Sequence, residues 1–183
     1  MKPVRALALA SLFASAFAGA AVLKTDPDKT SVAAVFKQMN VPVEAKFKSF
    51  TAKIDYDAAR PEASKATVEI QTASMDLGDA EYNREVAKKE WFNTAQFPKA
   101  SFVSTAIKPA GPGKLNVAGK LTLKGKTADV QFPLTVKTEA NKQVFEGQLP
   151  IKRLAFNIGE GEWKDTSMVA DEVVIKFRVT AGQ

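Results

Sequence analysis

Catalysis by side chains needs a nucleophile, a proton carrier or a metal ligand, and this chain of 183 residues has neither histidine nor cysteine. That removes the usual zinc sites, the Ser-His-Asp and Cys-His nucleophile systems, and histidine-ligated haem. The phosphate-cradling glycine loops and the G-x-S-x-G elbow are also missing from the sequence. Two acidic clusters remain, Asp76, Asp79 and Glu81, and Glu160, Glu162 and Asp165. Neither has the spacing of a calcium loop, and they read as a helix start and a solvated turn, so no metal site is expected. Asp, Glu, Lys and Tyr can still carry protons, but nothing in their arrangement marks a reaction. The expectation is a protein without a catalytic step.

The elements around these residues are strands. Leu115, Val117, Gly119, Leu121 and Leu123 alternate with Asn116, Ala118, Lys120, Thr122 and Lys124, the period-two pattern of a half-buried strand. Val130, Phe132, Leu134 and Val136 repeat it, as do Val173, Ile175, Phe177 and Val179. Weaker versions run over 30–39, 43–56, 65–74, 99–108 and 143–152, giving about eight strands in all. Between Phe47 and Phe50 the apolar phase changes, which predicts a bulge or bend. Turn residues occupy the gaps, at 60–62, 109–113, 124–126 and 139–141. Residues 79–90 break the pattern with helix formers, an acidic start and Lys88 and Lys89 at the end, and predict a short helix. Eight strands with one helical insertion, between strands 3 and 4, cannot cover two sheet faces with helices. The economical solutions are a sandwich or a closed barrel. Long strands in up-and-down order favour an all-β, eight-stranded antiparallel barrel of lipocalin type, whose interior can hold one apolar ligand.

The first residues read as a signal peptide: Lys2 and Arg5, an apolar run from Ala6 to Phe17, then Ala18, Gly19 and Ala20. Cleavage is expected after Ala20, leaving one barrel domain over 21–183 in the periplasm. Lys2 and Arg5 leave with the leader, so 24 basic residues face 20 acidic ones, a net charge of +4. The lysines are scattered singly, which points to a solvated surface and not to nucleic-acid binding.

Two stretches resemble the YceI-like family. The first is Ser74, Asp76 and Gly78, then Asn83, Arg84 and Glu85, Trp91 and Phe92, Phe97 and Pro98, and Phe102 with Ser104 and Thr105. The second, Gly119 to Gly125, is similar to the family's G-x-L-T-[IL]-x-G. Leu77, Glu85 and Trp91 depart from the residues often found there, and the histidines common in the family's first two strands are absent. The resemblance implies an exported lipocalin-like barrel that binds polyisoprenoid or related long-chain amphiphiles, with a polyprenyl or quinone lipid as the bound molecule and transient membrane contact during exchange. On that reading the tail would be held by Phe36, Phe47, Trp91, Phe92, Leu115, Val117, Leu121, Phe132, Leu134, Phe145, Ile175 and Phe177, and the head group by Arg84. Trp91 and Phe92 are either cover for the barrel end or a lid over the tail, and Arg84 is either a surface helix residue or a charge-assisted donor to a phosphate or quinone oxygen of the head. The alternative is a barrel filled by its own phenylalanines, acting as an interaction partner of a membrane redox or stress system.

Overall fold

A strand with one dry face must hide it, and a meander of such strands keeps two bare edges until it closes on itself. The computed structural model describes residues 21–182. The expected leader and its cleavage after Ala20 lie outside the described residues. The segments are β1 (Ala21–Thr25), β2 (Ser31–Gln38), β3 (Val41–Phe47), β4 (Phe50–Tyr56), β5 (Lys65–Gln71), β6 (Met75–Asp76), helix α1 (Ala80–Val86), β7 (Lys99–Pro109), β8 (Lys114–Leu123), β9 (Lys126–Glu139), β10 (Lys142–Lys152) and β11 (Val169–Gly182). The hydrogen-bonded ring runs β1-β4-β5-β7-β8-β9-β10-β11 and returns to β1. All its pairings are antiparallel. Beyond β1, β11 pairs with β2, β2 with β3, and β3 with β6. β1 and β2 are thus two pieces of one barrel strand, as are β3 and β4, and β5 and β6. The result is the closed eight-stranded antiparallel barrel that the alternation predicts.

The alternation holds where it is cleanest. In β8 the residues Leu115, Val117, Gly119, Leu121 and Leu123 are buried while Asn116 and Lys120 are exposed. The change of phase before Phe50 is a real interruption at Lys48 and Ser49. There the Lys48 amide donates to the Ser74 carbonyl and the Gln71 amide to that of Ser49. Gly147 serves the packing, because a Cβ on it would lie 2.4 Å from Cζ of Phe177 on the neighbouring strand.

Three hairpins turn on two residues, Met39-Asn40, Lys124-Gly125 and Ala140-Asn141. All six residues have positive φ, as the twist of tight hairpins requires. Two expectations need correction. β1 is an additional strand segment ahead of the first one expected; its five residues are too short for alternation to show. The helix is also shorter than 79–90 and ends at Val86. The chain then turns, with the Phe92 amide donating to the Val86 carbonyl and the Trp91 amide to that of Lys88. This turn brings consecutive Trp91 and Phe92 to the interior together, whereas neighbours on a helix point about 100° apart. Lys88 and Lys89 consequently lie outside the helix they were expected to end.

Candidate functional site

The barrel encloses an apolar cavity of about 440 Å³, within the roughly 300–1,000 Å³ of sites that take small ligands. The expected interior positions converge on it: Phe36 of β2, Phe47 of β3, Leu115, Val117 and Leu121 of β8, Phe132 and Leu134 of β9, Phe145 of β10, Ile175 and Phe177 of β11, and Trp91 and Phe92 after the helix. Aromatic contacts stiffen the wall. Phe132 meets Phe102 at 5.4 Å and Phe177 at 5.5 Å between ring centroids. Tyr56 stands edge-on to Phe145 towards one end, and Phe47 edge-on to Phe92 towards the other. The phenylalanines that the filled-barrel alternative would pack into the interior line this cavity.

Arg84 is the exception among the expected site residues. It is exposed on α1 and lies outside the cavity lining. The charged residues that do line the cavity are Lys65, Glu85 and Arg153. Lys65 is exposed at the start of β5, and Glu85 forms an ion pair with Lys88.

Arg153 is 2% exposed and closes the helix-side end of the barrel. Its Nε donates to the Ala170 carbonyl, one terminal nitrogen to those of Ile158 and Gly159, and the other to those of Trp163 and Val169. A guanidinium has five N–H donors, so none is left for a ligand. Gly159 is required beside it, with φ +80° and an imaginary Cβ only 2.0 Å from an Arg153 nitrogen. The guanidinium also lies 5.7 Å from the Trp91 ring centroid, and Trp91 packs on Trp163 at 5.3 Å. Lys124 repeats the device. Its buried ammonium donates to the Lys89 and Asn157 carbonyls and to Glu160, using all three of its donors. That bond is the main reason the Glu160 carboxyl is held below its ordinary pKa. These contacts and their geometry favour the cover reading of Trp91 and Phe92. The Trp91 indole N–H is buried without an acceptor among the described residues.

Beside this plug the wall is thinner. β6 pairs with β3 only at Lys46 and Phe47, so on the side away from β2 the segment 41–45 has no strand partner among the described residues. The cavity reaches part-exposed residues there, Gln38 and Val43 of the hairpin and Tyr82 and Glu85 of α1. The helix is tied in place from below. Asp76 accepts from the Gly78 amide and from Asn83 Nδ2 and pairs with Lys48; Lys48 foremost, then these donors, hold its carboxyl well below the usual carboxylate range. The Asn83 carbonyl oxygen in turn accepts from the Leu77 amide. The Asp76, Gly78 and Asn83 pattern is thus a helix anchor, and Lys124-Gly125 is both turn and plug. Arg153 was missed in the sequence because its acceptors are backbone carbonyls further along the same β10–β11 connection, which no side-chain pattern marks.

A model of the YceI-like domain matches residues 23–181. A UPF0312 protein of Shewanella oneidensis is 35% identical over 148 residues, covering 79% of this chain and 74% of that protein. One of Pseudomonas syringae pv. tomato is 38% identical over 97 residues, covering 53% of this chain and 50% of the relative. The match thus spans about half the length of the first curated relatives. Among solved structures, BcnA of Burkholderia cenocepacia is 54% identical with a TM-score of 0.84, covering 86% of this chain and 99% of that one. A polyisoprenoid binding domain from Saccharophagus degradans shares the fold at 16% identity and a TM-score of 0.67, covering 88% of this chain and 97% of that domain.

Proposed function

We propose that this chain, which belongs to the YceI-like family, is an exported carrier that holds an isoprenoid lipid with an uncharged, quinone-type head in its barrel. The observation that carries the reading is the cavity itself, an apolar interior of about 440 Å³ lined by aromatic and branched side chains. A tail needs no specific polar partner there. Each buried CH₂ is worth roughly 0.8 kcal/mol, and ligands of this size realise about 0.3 kcal/mol per heavy atom. Some 20 to 30 enclosed atoms then supply roughly 6 to 9 kcal/mol, which corresponds to binding from tens of micromolar to just below micromolar. Likeness of fold to the polyisoprenoid binding domain from Saccharophagus degradans supports the ligand class.

The charges favour a neutral head. Arg153 has no free donor, and Glu85 is an acid paired with Lys88. A phosphate drawn into this interior would lose its hydration with no buried cation free to replace it, since Lys65, the other cation of the lining, stands exposed at the start of β5, and that loss is costly. A quinone carbonyl needs only a neutral donor, and Trp91 has one unmet. The reading contains no chemical step. Among the described residues no helix is long and apolar enough to cross a membrane, and the proposed location is the periplasm, reached through the leader.

The test is an organic extract of protein made with its own leader and purified without detergent, analysed by mass spectrometry. Prenylquinone in near-stoichiometric amount is the expected result. An extract holding polyprenyl phosphate would overturn the neutral-head reading, and one with only trace phospholipid would overturn the carrier.

A further inference from the structure

We propose that the tip of the β2–β3 hairpin is a membrane-docking surface that seats the cavity mouth on a lipid bilayer. The proposal rests on the carrier reading for its purpose, but its evidence is separate. Met39 is 71% exposed and Val41 62%, and Met168, whose carbonyl accepts from the Met39 amide, is 42% exposed. Three apolar side chains therefore project from one corner of the rim.

The turn gains nothing locally from Met39. Gln38 pairs with Val41, so Met39 and Asn40 alone make the turn, with φ of 49° and 64°. That conformation favours Gly, Asn and Asp, and an unbranched apolar residue is out of place. The two other turns of this kind account for their residues within the fold: the Lys124 side chain anchors the plug, and Ala140 is small. Met39 offers its side chain only to the outside.

The tip is continuous with the mouth. Gln38 and Val43, on either side of it in the hairpin, line the cavity, and so does Tyr82 on α1, itself 56% exposed. An aromatic with a polar end at such a rim suits the boundary between headgroups and acyl chains. The charge pattern permits approach to an anionic bilayer, for residues 37–43 contain Lys37 and no acid, and Lys37 makes no ion pair among the described residues. Asp165 and Asp171, the acids nearest Met168 in the chain, have their carboxylates engaged by Ser167 and by the Leu154 amide. A ligand leaving between Val43 and Tyr82 would then pass into lipid without crossing water.

The experiment is flotation of the protein with vesicles of phosphatidylcholine containing a minority of phosphatidylglycerol and no prenyl lipid. The absence of prenyl lipid lets docking be judged whether or not the cavity takes an isoprenoid. The double variant Met39→Asp, Val41→Asp is expected to lose about tenfold or more of the parent's vesicle partition. Its fold should survive, because Asp tolerates the left-handed turn better than Met, and near-parental melting checks this. The control is Val22→Asp, at a more exposed apolar side chain on β1 (73%) away from the hairpin, and it should partition like the parent. Equal partition of parent and double variant would overturn the proposal, as would an equal loss in the control. A change in solution mass of the double variant with vesicle partition intact would also overturn it, assigning the tip to self-association.

Discussion

The plug and the tip sit side by side on one rim, since Arg153 bonds the carbonyls of Val169 and Ala170 while the Met39 amide bonds that of Met168. They treat polar and apolar groups in opposite ways. In the plug, two cations are buried and each of their donors meets an oxygen. In the tip, Met39, Val41 and Met168 leave apolar side chains in water. A rim that only had to close would be built like the plug all the way round. The contrast separates a stretch whose side chains serve stability from one whose side chains serve an exchange with something outside. The largest predicted effect tests the first half of it. Arg153→Met leaves up to five carbonyls short of a donor at a site that excludes water, and each such orphan costs about 1 to 3 kcal/mol where nothing replaces the bond. A net loss of about 3 kcal/mol or more is expected, read as a fall in the midpoint of urea unfolding. A loss below about 1 kcal/mol would mean that water reaches the plug and that the two stretches do not differ in kind.

What the sequence shows and what it hides follow the same division. Period-two alternation is a local pattern, so the inward faces of β8, β9 and β11 and the break after Phe47 are readable directly, and with them most of the cavity lining. The plug is not, because the donors of Arg153 find oxygens at Ile158, Gly159, Trp163, Val169 and Ala170. Nothing about a lone arginine in Ile151 to Phe156 announces that meeting. Arg84 lies outside the lining for the converse reason. A helix was legible there, but which face of it meets the barrel is decided by Asp76 and Asn83 anchoring it from below.

A middle-sized effect tests the void that plug and tip share. Val117 is buried on β8 and faces the cavity, so Val117→Phe places a ring where a tail would lie. Adding carbons to a packed core costs about 1 to 3 kcal/mol, but a hollow one accepts them. The ligand-free variant should therefore melt near the parent while its affinity for a prenylquinone falls about tenfold, as shown by fluorescence titration. Asn116→Phe, one residue away and exposed, should leave affinity unchanged. Unfolding of Val117→Phe would mean that the interior is closed-packed after all.

The smallest effect concerns the one residue at the mouth that sequence reasoning placed on the ligand. Arg84 shares α1 with Tyr82 and Glu85, which line the cavity, yet it is itself exposed and outside the lining. An exposed cation on a short helix typically contributes a few tenths of a kcal/mol through pairing or the helix dipole. Arg84→Ala should accordingly change prenylquinone affinity by less than about twofold. The same variant has a second use. If the head group were anionic, the apolar interior would force it out to the mouth, and Arg84 would be among the few cations within reach. A charge-assisted bond lost there would cost roughly 1.5 to 3 kcal/mol, visible as a drop of tenfold or more in affinity for a polyprenyl phosphate. Titration of parent and Arg84→Ala with both lipids therefore decides between the two heads. No change with the quinone and weak binding of the phosphate by both proteins is what a mouth specialised for neutral lipid requires. A selective loss of phosphate binding in the variant would instead make the rim a headgroup site, with Arg84 as its donor.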